Sequence, residues 1–290
     1  MYDSVPLNFL ALPDELSEYK QAKSVILPIP YDLTLSYESG ARYGPQAIIN
    51  ASRQLETYDE ELDCNPSEIG IATMPEIEQV VSGPAEMQEI IYSACNSLLK
   101  DNKFVLSLGG EHSITAALVK AHKEKYADLS VIQIDAHTDL RDSYQGSKYS
   151  HACVMSRVAE IAPFISIGVR SFSGAENEKK YKANLIKPSQ VKNNPDYFKK
   201  IIAELSENVY ISVDLDGFDP SIMPAVGTPE PGGLNWDDMM MIIDDITSMK
   251  IIVGADIVEL SPKSELTYAD FTAAKLAYKI IGFSFCRCKS

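Results

Sequence analysis

Short apolar, β-prone runs alternate with stretches of helical periodicity along almost the whole chain. Residues 24–28, 104–108, 131–134, 164–169, 209–213 and 250–258 read as strands. Helical patterns fall over 46–55, 84–101, 113–126, 151–161, 195–207 and 268–281. In the second of these, Ile90, Ile91, Ala94, Leu98 and Leu99 share about one face. Trp236, Met239, Met240, Ile243 and Ile246 recur at helical spacing after Asn235. Asp238, three residues beyond Asn235, completes the pattern of a capping box. Continuous apolar strands separated by helices predict parallel βαβ units whose sheet is buried on both faces. The expected fold class is α/β, a three-layer α/β/α sandwich around a central, mostly parallel sheet. No linker, repeat or low-complexity tract interrupts the pattern, so one domain over residues 1–290 is expected. The longest polar stretches are 141–150, 174–194 and 217–233. The first and third suit loops at the carboxyl edge of the sheet, where such folds place specificity. The second reads as surface.

An apolar fraction of 45% is ample for a core. The formal charge of −15 argues against nucleic acid as partner, because phosphate binding needs clustered Lys and Arg. It is compatible with a small cationic substrate, and equally with a self-repelling surface. The cysteines at 64, 95, 153, 286 and 288 form no repeating framework, which favours free thiols in a reducing compartment. Cys286-Arg287-Cys288 lacks the further ligands of a zinc site. Asn50-Ala51-Ser52 fits a glycosylation acceptor, but no secretory segment accompanies it. No window reaches the ~18 uninterrupted apolar residues of a membrane helix. The expectation is a cytoplasmic protein that neither crosses membranes nor binds nucleic acid.

Candidate chemistry gathers after three of the strands. Phe104–Leu108 leads into Gly109-Gly110-Glu111-His112-Ser113, Val131–Ile134 into Asp135-Ala136-His137-Thr138-Asp139, and Val209–Val213 into Asp214-Leu215-Asp216. Open α/β sheets put their chemistry at the carboxyl ends of strands. Two imidazoles and four carboxylates exceed the needs of one ion and suit two divalent cations that share carboxylates. Their hard oxygens favour manganese over a thiolate-seeking metal. Two such ions sharing a water lower its pKa and hold hydroxide ready near neutral pH. With an extended backbone, Asp135, His137 and Asp139 at i, i+2 and i+4 aim to one side, and Asp214 and Asp216 do the same. Each segment alone has a bland reading: a loop histidine, a turn, a solvated pair of acids.

Taken in this order, the three segments resemble those of the ureohydrolases, the arginase and agmatinase family, with the agmatinase branch looking closest. The resemblance covers most of the chain. It begins near Val5-Pro6-Leu7-Asn8-Phe9-Leu10 and runs through Pro28-Ile29-Pro30-Tyr31-Asp32 and Gly40-Ala41-Arg42-Tyr43-Gly44-Pro45. It ends past Val258-Glu259-Leu260-Ser261-Pro262. It implies an arginase-like fold with two Mn²⁺ per subunit. His112 and Asp139 would hold one ion, His137 and Asp216 the other, and Asp135 and Asp214 would bridge both. Asp139 would additionally hydrogen-bond the bridging hydroxide. The implied reaction is hydrolysis of agmatine to putrescine and urea, a step of polyamine biosynthesis. The family commonly forms trimers or pairs of trimers, so a homo-oligomer is expected.

Two further residues carry expected roles. His151 follows the 141–150 loop, and an unperturbed pKa near 6.5 suits it to proton transfer. The matching family histidine lines the mouth of the site and moves protons to the departing amine. Ala152 departs from the family's Ser-His-Gly form, and a helix-start histidine is the bland alternative. Glu259 can pair two guanidinium N–H groups, as the matching family glutamate does, or be an exposed strand-end acid. Glu111 replaces the usual aspartate and is expected behind the ligands. His122, among Lys120, Lys123 and Lys125, reads as an exposed helix residue, and Asp219-Pro220 as a turn. Arginase, guanidinobutyrase and formimidoglutamase share the core. Arg141 in the mouth loop suits a carboxylate-bearing substrate such as arginine. A zinc deacetylase needs fewer ligands, and a non-catalytic metal-stabilised scaffold would have lost a ligand, His151 or Glu259.

Overall fold

A computed structural model describes residues 5–173 and 180–287. Its eight strands are β1 (Ser24–Ile29), β2 (Ile71–Thr73), β3 (Phe104–Gly109), β4 (Ser130–Ile134), β5 (Phe164–Ile167), β6 (Leu185–Ile186), β7 (Asn208–Asp214) and β8 (Ile251–Val258). They pair in parallel throughout, in the order β2-β1-β3-β8-β7-β4-β5-β6. The chain builds outward from β1, jumps from β3 to β4, and later fills the gap with β7 and β8. That jump leaves four strand ends from distant parts of the sequence side by side at the centre.

Strand alternation sorts the core into two layers. Val25, Leu27, Val105, Val131 and Val253 meet helices α3 (Pro84–Lys100), α4 (Thr115–Lys125) and α5 (Val154–Ala159). Ile26, Leu106, Ile132, Ile211 and Ile257 meet a second set of helices on the opposite face. With α1 as Asp14–Ser17, these are α2 (Gly44–Ser52), α6 (Pro188–Asn193), α7 (Pro195–Glu204), α8 (Trp236–Met249) and α9 (Thr267–Phe285). The capping box at α8 forms: Asn235 accepts from the Asp238 amide, and Asp238 accepts from that of Asn235. No helix among the described residues is long and apolar enough to cross a membrane.

Several expectations change. The buried stripe of α3 is Met87, Ile91, Cys95, Leu98 and Leu99, while Ile90 is exposed. Within 174–194, read as surface, β6 and α6 bury Ile186 and Val191; two- and six-residue elements are too short to print a period. Residues 174–179 lie outside the described part, as does Cys288 of the Cys-Arg-Cys segment.

His122 is the clearest correction, because it is fully buried rather than exposed. Its Nδ1 meets the Leu118 carbonyl at 2.8 Å, and its ring tilts over that of Tyr210, with centroids 4.7 Å apart. The ring lies against β8 where Gly254 has no side chain; a Cβ there would stand 2.1 Å from Nε2. The glycine, 132 positions away in sequence, makes the histidine's pocket. Burial lowers the His122 pKa from 6.5 to about 4. Between those values the unfolded chain binds a proton that the folded one refuses, so stability falls as pH drops from 6.5 towards 4. The loss at the lower end is roughly 3 kcal/mol. In urea titrations, His122→Phe or His122→Leu should flatten the stability profile over that window relative to wild type. An unchanged slope would exclude His122 as its source.

Candidate metal centre and its pocket

The four central strands β3, β8, β7 and β4 end together and carry His112, Glu259, Asp214 with Asp216, and Asp135 to Asp139. All six expected ligands lie there, five of them in two overlapping groups and Asp214 beside His112. The ligand atoms of His112, Asp135 and Asp139 lie within 4.8 Å of one another, as do those of Asp135, His137 and Asp216. Asp135 belongs to both. His112 Nδ1 is surrounded by Asp135 at 3.1 Å, Asp139 at 3.1 Å and Asp214 at 3.3 Å. His137 Nδ1 stands 2.9 Å from Asp216 and 3.6 Å from Asp135. Asp214 also accepts the Asp216 amide at 2.9 Å, which ties it to the second group.

The extended i, i+2, i+4 geometry expected of these segments does not occur. β4 stops at Ile134, and Asp139 has a positive φ of 49°. β7 passes into a 3-10 turn over Leu215–Gly217. Each segment therefore splits its ligands: Asp139 and Asp214 face His112, whereas Asp216 sides with His137. An extended strand end would have stacked them along one line. The turns instead spread them across two positions.

A row of polar side chains crosses the sheet beneath the ligands. Ser107, Asp256, Ser212, Gln133 and Ser166 are register neighbours on β3, β8, β7, β4 and β5, all fully buried. Ser212 donates to Asp256 at 2.7 Å and meets His112 Nε2 at 2.9 Å. With its hydrogen committed to Asp256, Ser212 receives one from Nε2, so Nδ1 is the nitrogen His112 would turn to a metal. Gln133 donates to Asp135 at 2.6 Å, held in turn by Ser166. These outer partners fix ligand orientation and tautomer. They are hidden within the apolar strands. Their signal was one lone polar residue inside each apolar run.

The charges are demanding. Burial lowers the His112 pKa, but Asp135, Asp139 and Asp214 outweigh it and raise the imidazole well above its usual value. His137, likewise opposed by burial, is raised to about 12 by Asp135 and Asp216. Burial and neighbouring carboxylates push Asp214 and Asp216 up. Asp135 is held below the usual range by the two imidazoles, against burial. His112 Nδ1 is buried with no hydrogen bond, although three carboxylate oxygens ring it. A ring nitrogen and clustered carboxylates around a common point, in two groups sharing one carboxylate, fit two hard divalent cations.

A pocket of about 300 Å³ opens over the groups. Asp139, Asp214, Asp216, His137, His151 and Glu259 line it. Arg141 and Tyr144 come from the 141–150 loop, and Gly227 and Thr228 from 217–233, as expected. Residues 35–38 and 171–173 also line it, and no sequence pattern pointed to them. Glu259 is buried with a positive φ of 68°. This turn lets its amide donate to Gly110 and its Oε1 accept the His112 amide at 2.7 Å. Burial raises its pKa well above the usual range.

His151 touches a second loop of the mouth, at Thr34 and Ser36. Its amide donates to Thr34 Oγ1 at 3.0 Å, and its ring nitrogens lie 3.3 Å from Thr34 Oγ1 and 3.2 Å from Ser36 Oγ. Glu111 accepts both the Thr34 amide and hydroxyl at 2.6 Å, and its pKa is raised to about 7 by burial. Its role is thus to anchor the loop that holds His151. Asp219, read as a turn residue, accepts the amides of Ser221, Gly232 and Gly233.

Known proteins share this arrangement of chain. The profile of the family described as "Arginase family" matches residues 22–282. An N(1)-aminopropylagmatine ureohydrolase of Synechocystis is 37% identical, covering 97% of this chain and 95% of its own. An agmatinase of Pyrococcus horikoshii is 36% identical, covering 92% and 94%. The crystal structure of agmatine ureohydrolase of Thermoplasma volcanium superposes with a TM-score of 0.86 at 35% identity, over 96% and 94%.

Ser212→Ala should leave the His112 Nε2–H without its partner and free the ring to turn. Metal affinity should fall 10–100-fold, measured by manganese titration of the metal-free protein. Wild-type affinity in this variant would remove Ser212 from the support of His112.

Proposed function

The chain belongs to the arginase family of hydrolases, and we propose that it is a two-manganese amidinohydrolase that releases urea from an agmatine-type substrate. The observation that carries this reading is Asp135 shared between two histidine-bearing groups, with a free-standing carboxylate, Glu259, in the same pocket. His112 with Asp139 would hold one ion and His137 with Asp216 the other, with Asp135 and Asp214 between them. Bound ions would lower the pKa of a shared water and offset the crowded carboxylates.

The remaining work falls to this chain's own groups. Glu259 would orient the guanidinium. One of its oxygens already receives the His112 amide, which fixes the carboxylate plane and leaves the other free for substrate. The guanidinium cation also favours the ionised carboxylate that burial disfavours. Asp139 lines the pocket beside His112 and would receive a hydrogen from the attacking water. Water adds oxygen to the guanidinium carbon, the bond to the alkyl nitrogen breaks, and that nitrogen leaves as an amine after gaining a proton. His151 would pass that proton. Burial lowers its pKa, so the ring is neutral at neutral pH and ready to accept before it donates.

The substrate reading favours a guanidinobutyl amine over arginine because relatives acting on agmatine and on N(1)-aminopropylagmatine match nearly the whole chain. N(1)-aminopropylagmatine is a second reading, supported by ureohydrolases of that name at 37–38% identity. Both share the guanidinobutyl end that would sit over the metals. A cytoplasmic homo-oligomer, a trimer or hexamer, belongs to the same proposal, and sedimentation would measure its size.

The test is urea release with manganese across agmatine, N(1)-aminopropylagmatine, arginine and guanidinobutyrate. Turnover of one or both amines, well above the two acids, is expected; preference for an acid would overturn the substrate class. Metal analysis should find two ions per chain in the active protein. Glu259→Gln should lower kcat/KM at least tenfold for every guanidino substrate, since a charge-assisted bond contributes ~1.5–3 kcal/mol. Loss of a metal in that variant would contradict the role. His151→Ala should cut turnover by ~10²-fold with both ions retained; unchanged turnover would make His151 structural.

A further inference from the structure

Beneath the Asp216 turn lies an arginine that no expectation singled out. Arg170 follows β5 and is half-buried. Its Nη2 donates to the backbone carbonyls of Asp216 at 2.8 Å, Phe218 at 3.1 Å and Glu230 at 2.6 Å. Nη1 donates to Gly168 at 3.1 Å and Gly217 at 3.3 Å, and Nε to Glu230 at 3.2 Å. Among the described residues every acceptor is a main-chain oxygen and Arg170 forms no ion pair. A buried arginine is ordinarily matched to a carboxylate or phosphate. Here no carboxylate pairs with it directly: burial disfavours its charge, and the nearby carboxylates of Asp216, Asp135 and Glu230 only partly offset that.

The carbonyls come from three places that meet nowhere else in sequence. Gly168 directly follows β5, residues 216–218 form the turn after β7, and Glu230 lies far along the 217–233 loop. The backbone of Arg170 is fixed as well: its amide and that of Ser171 donate to Ala136, between Asp135 and His137. The loop packs tightly on the guanidinium, since a Cβ at Gly233 would stand 2.7 Å from Nη2. The same loop carries Thr228, whose hydroxyl reaches Asp216 Oδ2 at 3.4 Å.

We infer that Arg170 is the positioning residue of the second metal group, holding the Asp216 turn, the Ala136–His137 segment and the 217–233 loop as one preformed unit. The inference rests on the two-metal reading above. Its physical basis is the guanidinium fork: five N–H groups in a rigid plane satisfy carbonyls on three segments at once. A lysine keeps the charge but offers three donors from a single point, so it cannot span them. Because Asp216 and His137 belong to the second group alone, and His112 and Asp139 are held by other contacts, loss of the clamp should act chiefly on the second ion.

The decisive comparison is wild type with Arg170→Lys, prepared metal-free and titrated with manganese. Two ions should bind wild type. In Arg170→Lys the first should bind as before and the second at least tenfold more weakly. The spin-coupled manganese-pair resonance should give way to that of an isolated ion at intermediate metal concentrations. Amide exchange of residues 214–219 supplies a readout without metal: the segment should be protected in metal-free wild type and labile in the variant. Equal weakening of both ions, or wild-type affinity for both, overturns the inference. Should the variant fail to fold, unprotected 214–219 amides in metal-free wild type would overturn it as well. Should wild type bind a single ion, the two-metal reading fails, and the exchange measurement alone then decides whether Arg170 preforms the turn.

Discussion

Four aspartates whose like charges oppose one another must stand close together at the ends of the central strands of an apolar sheet. Everything around the site answers that constraint. Asp135, shared by both groups, faces two imidazoles and is held ionised by them. Asp214 and Asp216 are pushed towards the neutral form by burial and by neighbouring carboxylates, Asp135 among them. A cluster this crowded is unfavourable as an empty set of anions and favourable as a cage for cations, because the free energy lost to repulsion is recovered when positive charge enters.

Rigidity is the second requirement, since ligands of like charge would otherwise swing apart. The structure supplies it from below and from the side. From below, the Ser107-Asp256-Ser212-Gln133-Ser166 row crosses five strands at one register and orients His112 and Asp135. From the side, Arg170 ties three chain segments through their carbonyls. Tyr210 links the row to the buried His122, donating to Asp256 while its ring meets the imidazole. A helix whose charged neighbours suggested a solvated histidine therefore packs it two contacts away from the row that orients His112.

The mouth is built on a different principle, from loops anchored to the rigid floor. Glu111 adjoins a ligand in sequence yet turns away from it to grip Thr34, which positions His151 from the opposite side of the pocket. Glu259 reaches its place through a left-handed backbone that a strand end would not adopt, held by bonds to Gly110 and His112. Non-glycine residues at positive φ, here Asp139 and Glu259, cluster at functional sites because surrounding contacts over-determine them.

Much of this protein was written in one dimension. Continuous apolar runs dictated parallel strands, since only a sheet covered on both faces can hide them, and the polar residues just past those runs marked the candidate ligands that gather at the strand ends. Asn235 and Asp238 announced their helix start by local hydrogen bonding alone. What depended on distant partners was illegible. His122 is buried because Gly254 lies beneath it, and no pattern within its own helix carries that fact. The i, i+2, i+4 spacing suggested ligands aimed together, but tertiary turns divided them between two positions. Glu111 and Arg170 took their roles from loops dozens of residues away. Local chemistry is determined by neighbours in sequence, whereas the partner a side chain meets across the fold is decided only when strands from distant segments are brought side by side.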